Sequence, residues 1–507
     1  MDDITRHYID KKVEQFIASI DRDAVCELAS SHHPSKKPCR IFDAEKKCAF
    51  NICFPVEFLE DSLGVHTTGE RWMVRIPVLP RLAFPEEKLR GEIATMKFIS
   101  EKTTIPIPCL HGYSIGNDNI LGLPFLLLDF IDGKMLVTVN IPTLPYNDQC
   151  RLFANLSDIY LQLFQHQFNH IGALTLDSTD ENWTLGGYNP CLLIPPNQVF
   201  HSTIDYILMI HHALLDDFHL RRGSVFSESD ACSYLYDLYN SRQFLMEWVQ
   251  RKYNHGPFVL MHGDLRSSNI LVDDDLNIVS ILDWEWGHTI PLQMFVPPSW
   301  LSGHKVIGVL KEYNRLYYEM LTSAFLSEAR DVEFQNYKTA TNGYNIQLSK
   351  LWRRKVGSWD IFIAHGLRQP LYFANVYDDV IEHDYYKAGN LDYRRRRDDF
   401  FNLEIRKPEL EALQRKLDDL KMFEKQCEEL GIQRTIPNPI SDTNECPTSS
   451  PETKLNQPQA LCPISCLKNF GVQLYEEFHT RSVITGAILG FACGIFLLKN
   501  LNSRLLR

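Results

Sequence analysis

The sequence predicts an α+β protein with a strand-rich part over residues 44–132, a helix-rich part over 133–400 and a helical extension over 401–431. Three observations carry that expectation. Residues 258–287 read as strand, loop, hairpin and strand end, with polar residues at each junction. Residues 48–54 and 71–76 alternate as two antiparallel strands do, with turn residues over 64–69 between them. Most of the remaining long segments repeat their apolar residues at helical spacing. The 507 residues allow one two-part body of about 350 residues plus further segments, since single cores rarely grow past roughly 250–300 residues.

In chain order, residues 1–43 read as an N-terminal extension, with no secretory apolar core. Residues 85–102 read as a helix. Pro85 opens it, Glu86 and Glu87 follow as helix N-termini favour, and Leu89, Ile93, Met96 and Phe98 form its apolar stripe around Glu92. Pro106 and Pro108 break the chain, and 123–130 is an apolar strand that ends in Asp129-Phe130-Ile131-Asp132-Gly133. Residues 148–168 are expected to form the long core helix of the larger part, with Leu152, Leu156, Tyr160, Leu163 and Phe164 on one face. His166 and His170 flank its end, either as structural residues or as a metal pair. Further helices are expected over 231–253, 305–325 and 347–365.

The richest chemistry lies in residues 258–287. An apolar strand, Phe258-Val259-Leu260-Met261, leads into His262-Gly263-Asp264, and Asn269 follows five residues after Asp264. Residues 270–272 and 278–282 form two short strands around Asp273-Asp274-Asp275, and the second ends in Asp283. Phosphoryl transfer needs a carboxylate to take or orient the proton of the attacking hydroxyl, and hard oxygen ligands to hold Mg²⁺ against the phosphates. Asp264 suits the first task, and Asn269 with Asp283 suits the second. The spacing H-x-D-x-x-x-x-N, followed by a strand-terminal Asp, is that of a kinase catalytic loop and its metal ligand.

HGDLRSSNILV followed by ILDWEWG resembles the aminoglycoside phosphotransferase and choline-kinase-like family, and WMVRIP upstream is similar to fungal members whose acceptor is unassigned. The resemblance covers roughly residues 44–400. It implies a protein-kinase-like two-lobed fold that uses ATP and Mg²⁺ to phosphorylate a hydroxyl of a small molecule. It also implies roles for individual residues. His262 supports the loop that carries Asp264, Arg75 steadies the α/β-phosphates, Glu92 pairs with Arg75, and backbone groups near Asp129 and Ile131 meet the adenine edge. One departure stands out: residues 45–51, where the family's nucleotide loop carries glycines, contain none. A membrane-tethered, nucleotide-binding protein without catalysis therefore stays open beside the active kinase. A protein kinase is disfavoured by HGD, by DWE and by the lack of an A-P-E segment.

The net charge of −12 argues against nucleic acid as the main partner. The basic run Arg394 to Arg397 precedes Asp398 and Asp399, which favours a solvated or locally paired face. Thirteen scattered cysteines without an export signal suggest reduced thiols, and Cys462 with Cys466 lacks a second pair to hold zinc. Residues 284–300, rich in aromatics, either line an acceptor site or pack the core; Glu285 either binds a cationic acceptor or pairs with an arginine. Residues 408–430 read as an exposed helix that packs on the lobe or forms a short coiled coil. Residues 432–478 read as a disordered linker and 479–507 as a membrane anchor. The anchor's core, 482–498, is uncharged and apolar and is followed by Lys499, Arg504 and Arg507. Gly486, Gly490 and Gly494 give it a small-residue face suited to dimerisation. The rest of the chain would then face the cytosol from the mitochondrial outer membrane or the endoplasmic reticulum.

Overall fold

Two helices precede the first sheet in the computed structural model of the protein, which describes residues 2–59, 69–187, 197–337, 346–386 and 393–434. They are α1 (Asp3–Ser19) and α2 (Arg22–His32), each opened by an aspartate that accepts backbone N–H groups: Asp2 from Thr5, and Asp21 from Asp23 and Ala24. Their apolar faces, with Val13, Ile17, Val25, Leu28 and Ala29, share a core with Ile52, Phe54, Trp72, Val74 and Ile76. A strand from the same region, β1 (Cys39–Ile41), joins the sheet. Residues 2–43 are thus part of the small lobe and not an extension. Their stripe escaped the sequence reading because it is short and broken by Asp21-Arg22-Asp23.

The sheet continues with β2 (Lys46–Lys47), β3 (Asn51–Phe58), β4 (Arg71–Pro77), and, after helix α3 (Pro85–Lys102), β5 (Leu110–Ser114) and β6 (Phe125–Asp129). All pairings are antiparallel, in the order β1-β3-β4-β6-β5 with β2 on β3. The expected strand over 48–54 starts later, at Asn51. Cys48 to Phe50 make the turn of the β2–β3 hairpin, closed by the Cys48 N–H donating to the Asn51 carbonyl. Turn residues 60–68 lie outside the described residues. Helix α3 has the expected bounds and buries Leu89, Ile93, Met96 and Phe98, together with two charged residues, Lys88 and Glu92.

The large lobe contains β7 (Lys134–Met135), α4 (Tyr146–Gln165), β8 (Gln167–Phe168), the hairpin β9 (Leu174–Leu176) and β10 (Trp183–Leu185), α5 (Thr203–Leu220) and α6 (Glu228–Trp248). Strand β11 (Phe258–Met261) is fully buried between β8 and β14 (His288–Pro291), which explains its unbroken apolar run. Strands β12 (Ile270–Val272) and β13 (Ile278–Ile281) form the expected hairpin. The helix expected over 305–325 is split into α7 (Val306–Val309) and α8 (Glu312–Asn336), because Lys311 adopts an extended backbone between them. Gly357, at φ +77°, separates α9 (Leu348–Arg353) from α10 (Trp359–Arg368). Next come α11 (Phe373–Val376), a π-helical turn (Tyr377–Glu382), α12 (His383–Tyr386) and α13 (Tyr393–Asn402).

Trp284, Phe295, Val296 and Trp300 are core residues, so the aromatic stretch packs the lobe and does not line an acceptor site. His166 is structural, bonded to the Lys102 carbonyl. Arg396 and Arg397 are paired locally, with Glu382 and Ser233. The last described helix, α14 (Lys407–Glu429), packs Leu413 and Leu420 on Phe218, Val225 and Leu235. Its Phe423 and Cys427 meet Ile4 of α1. It is a lobe helix and not a coiled coil. The expected linker, the apolar tail and Gly486, Gly490 and Gly494 lie outside the described residues. Among the described residues no helix is long and apolar enough to cross a membrane.

Candidate active site

The strand end of β11 delivers His262 into the interior, where Nε2 lies 2.7 Å from the Leu282 carbonyl. The backbone N–H of Asp264 points at Nδ1 from 3.3 Å, which assigns the ring proton to Nε2. Burial pushes the imidazole pKa down to about 4, so it is neutral. His262 is therefore a strut between the loop and the end of β13. Gly263 follows at φ +81°, and a Cβ there would stand 2.1 Å from the Trp286 carbonyl oxygen. Only glycine fits that turn.

Asp264 comes next, with Oδ1 2.8 Å from Arg266 Nε. Asn269 Nδ2 donates to the Asp264 carbonyl at 2.9 Å and to its Oδ2 at 3.3 Å. Burial raises the Asp264 pKa while Arg266 pulls it back. With its amide nitrogen committed to Asp264, Asn269 offers its side-chain oxygen to other ligands. Ile270 pairs with Ile281, and the Leu282 N–H donates to the Asn269 carbonyl at 2.8 Å. That register brings Asn269 and Asp283 to one end of the hairpin. Asp283 holds a left-handed backbone, φ 62° and ψ 55°, a strained state for a residue other than glycine.

Behind these residues lies a buried cluster of charges. Arg75 on β4 bonds Glu92 of α3 through NH1. Its NH2 reaches Asp283 Oδ1 at 3.0 Å and Glu285 Oε2 at 2.9 Å. Lys88 Nζ also bonds Glu285, and Asn51 Nδ2 donates to the same oxygen at 2.8 Å. Burial alone would lower the Arg75 pKa, but Glu92, Asp283 and Glu285 hold it well above its ordinary value. Burial pushes Glu92 up to about 7, with Arg75 and Lys88 opposing and Glu285 adding to the rise. Burial also resists ionisation of Glu285, but Arg75 and Lys88 bring its pKa below the ordinary value. Two cations thus face three carboxylates.

This donor set fits Mg²⁺. It offers hard oxygens from Asn269 and Asp283 at one strand end, beside a cluster with one uncompensated negative charge, and leaves room for water and phosphate ligands. The fit to nucleotide phosphates is tighter. The glycine-free hairpin turn packs on the DWE segment: the Phe50 ring meets Trp286 edge-on at 5.3 Å, and Lys88 lies over Phe50 at 5.1 Å. Arg81 NH1 ties down the Ala49 carbonyl at 2.8 Å.

The hinge differs from expectation at Asp129. Its backbone N–H donates to the Cys109 carbonyl at 3.1 Å, so that group is not available to an adenine edge. Its carboxylate accepts the Cys109 N–H at 3.0 Å. Ile131 lies past the end of β6 and is half-buried. The structure brings together Arg75, Glu92, Asp283, His262, Asp264 and Asn269; Asp129 and Ile131 are held at the far end of β6 from Arg75's partner Leu126. Sequence reasoning missed Lys88, Asn51 and Arg266. One local signal existed for Lys88, which stands four residues before Glu92 and so shares its helix face. Of the two readings left open for Glu285, pairing with an arginine is the one realised.

Residues 60–291 match the family model described as "Phosphotransferase enzyme family". That segment carries Arg75, Glu92, Asp264, Asn269 and Asp283, and the match agrees with the resemblance carried by HGDLRSSNILV and ILDWEWG. Among curated proteins, a stretch of 96 residues is 33% identical to "Altered inheritance of mitochondria protein 9, mitochondrial" of Zygosaccharomyces rouxii, covering 18% of this chain and 16% of that protein. The protein of the same name in Candida dubliniensis is 32% identical over 101 residues, covering 20% of this chain and 16% of that protein. The matched part is thus under a fifth of either relative's length. Among solved structures, the chain is similar to the apo form of a thermostable mutant of aminoglycoside phosphotransferase APH(4)-Ia, with a TM-score of 0.36, 13% identity and coverage of 69% of this chain and 97% of that one. It is also similar to the GDP complex of wild-type aminoglycoside 2'-phosphotransferase-IIIa, with a TM-score of 0.36, 13% identity and coverage of 73% and 100%.

Proposed function

We propose that the protein is an ATP- and Mg²⁺-dependent kinase of a small hydroxyl-bearing molecule. The observation that carries this reading is the convergence of Asp264, Asn269 and Asp283 on one loop end, with Asp264 held by both Arg266 and Asn269. In this reading the Asp264 carboxylate accepts the proton of the acceptor hydroxyl as it attacks. Its raised pKa makes it a better base than a solvated aspartate. Arg266 and Asn269 fix its orientation, and His262 fixes the loop. Asn269 and Asp283 hold Mg²⁺, which when bound neutralises charge on the transferring phosphoryl group. Glu92 aligns the Arg75 guanidinium toward the phosphates.

A second reading, a nucleotide-binding or scaffolding protein without catalysis, is favoured by the hairpin fixed on Trp286 and by the three carboxylates already on Arg75. Asp264→Ala separates the two. For a kinase, the variant loses ATP turnover over a panel of alcohol, sugar and amino-alcohol acceptors while keeping the thermal shift given by ATP with Mg²⁺. Full turnover in the variant removes Asp264 from its role. No shift and no turnover in the unaltered protein supports the second reading.

A further inference from the structure

A group of potential metal ligands lies outside the phosphoryl-transfer site, where β5 meets the end of β6. The β5–β6 register runs from Leu110 opposite Leu128 to Gly112 opposite Leu127, so His111 is the extra residue of a β-bulge. Bulges re-aim a side chain, and this one sets the imidazole against Asp129 of β6 and Trp72 of β4. Its Nε2 lies 2.6 Å from Asp129 Oδ1. The ring stacks on Trp72 at 4.0 Å between centroids and 12° between planes, which fixes its orientation. Cys109 is bracketed by Asp129 through two backbone bonds, its carbonyl accepting at 3.1 Å and its N–H donating to Oδ2 at 3.0 Å. One ligand atom each from Cys109, His111 and Asp129 lies within 4.8 Å of the other two.

We propose that Cys109, His111 and Asp129 bind a zinc ion at the junction of the small lobe's edge strand with the hinge. Bonds of about 2.0–2.3 Å around tetrahedral zinc place ligand atoms roughly 3.4 Å apart. The His111–Asp129 contact of 2.6 Å is shorter than that and every pair lies within 4.8 Å, so the three donors already stand near the reach of one ion. Sulfur, nitrogen and oxygen donors together are zinc's chemistry and not that of Mg²⁺, which takes oxygen alone; the two sites therefore select different metals. Three protein ligands leave the fourth position to water. Cys109 is exposed, with His111 and Asp129 half-exposed, so an ion reaches the site from solvent. On binding, the Cys109 thiol releases its proton to water as the sulfur–metal bond forms, and His111, whose Nε2–H faces Asp129, passes to the Nδ1–H tautomer through water so that the freed Nε2 lone pair exchanges that contact for the metal. Occupancy would cross-link β5 to the last residue of β6, where the small lobe gives way to the large one.

The test uses the full chain, stripped with a chelator and kept reduced by a phosphine. Zn²⁺ is titrated against a chromophoric competitor, and Co²⁺ is used as a spectroscopic probe. Cys109→Ser is compared with the unaltered protein, and metal-free melting curves verify that both are equally folded. The expected result is one more equivalent of tightly bound Zn²⁺ in the unaltered protein than in Cys109→Ser. The variant's affinity at this site should fall by at least the roughly 10–100-fold that loss of a mere outer-shell partner costs. A thiolate-to-cobalt charge-transfer band should weaken in the same variant, and Asp129→Asn should reduce affinity while keeping that band. Cysteines elsewhere contribute equally to both proteins and cancel. Equal stoichiometry and affinity in the unaltered protein and Cys109→Ser overturn the proposal and leave His111 and Asp129 as a contact stitching two strands.

Discussion

Replacing Arg75 with methionine removes the one side chain that touches Glu92, Asp283 and Glu285 together. What remains is Lys88 against three carboxylates, two of them buried. Removing one partner of a buried ion pair costs about 3–5 kcal/mol, because a charge is left without compensation. The body described here ends at Arg434, and about 2.1 cal/mol/K per residue gives an unfolding entropy near 0.9 kcal/mol/K. The expected fall in Tm is therefore about 3–6 °C. Glu92→Gln is the sharper comparison. It removes a carboxylate from a cluster that has one too many, and its amide oxygen still accepts a hydrogen bond from Arg75. Two cations then face two carboxylates, and the expected loss is about 1 kcal/mol, that of one ordinary hydrogen bond. Thermal unfolding followed by tryptophan fluorescence, without nucleotide or Mg²⁺, reads both variants. If Glu92→Gln melts as low as Arg75→Met, the charge count is wrong. If Arg75→Met costs under about 1 kcal/mol, the guanidinium does not organise the site.

Gly263→Ala should cost more than the roughly 1–3 kcal/mol of a strained backbone residue, because the loop must also move off the Trp286 carbonyl. Melting curves and turnover should both fall, and a variant with unchanged turnover would show that the turn is not needed to place Asp264. The pH dependence follows from Glu92, whose folded pKa of about 7 exceeds its ordinary 4.5. The folded protein holds a proton that the unfolded chain gives up, so this group's contribution is complete below about pH 4.5 and is lost as pH rises through about 7. Buried His262 works the other way, since its folded pKa of about 4 lies below its ordinary value; its contribution is lost as pH falls from about 6.5 toward 4. The difference in Tm between the unaltered protein and Glu92→Gln isolates the first effect and should shrink from pH 5 to 8. A constant difference would mean that Glu92 is ionised throughout.

The residues legible in the sequence are those whose geometry is set within one short unit. His262, Asp264, Asn269 and Asp283 belong to a single strand, loop and hairpin, so period and spacing place them. Arg75 and Glu92 were reachable because a strand and the next helix fix them, and the family resemblance gave their pairing. Asn51 to Glu285 and Lys88 to Glu285 span 234 and 197 residues, and nothing local marks them apart from the helical spacing of Lys88 and Glu92. The same holds for the first two helices, whose weak stripes become core only when the sheet covers them. The helix break at Gly357 was visible as a residue but not as a left-handed turn, since glycine is also tolerated inside helices.

The cluster also constrains how a nucleotide enters. Arg75 has no cationic capacity left over, because Glu92, Asp283 and Glu285 already surround it. Adding the phosphates of ATP beside three carboxylates that share two cations is unfavourable by itself once Glu92 is ionised. Under the proposed function, entry would be an exchange: Asp283 would be the residue to leave Arg75 and help hold Mg²⁺, and the released Arg75 N–H donor would be open to a phosphate oxygen. The left-handed backbone of Asp283 suits it for such a change, since strained residues are held by their contacts and not by local preference. Glu285 is fixed by Lys88 and Asn51 as well as by Arg75, so it stays while Asp283 moves. An active kinase should consequently show little stabilisation by ATP alone and a large one by ATP with Mg²⁺. The same two additions, made separately and together in the thermal-shift measurement, distinguish a closed hairpin that admits nucleotide by exchange from one that excludes it.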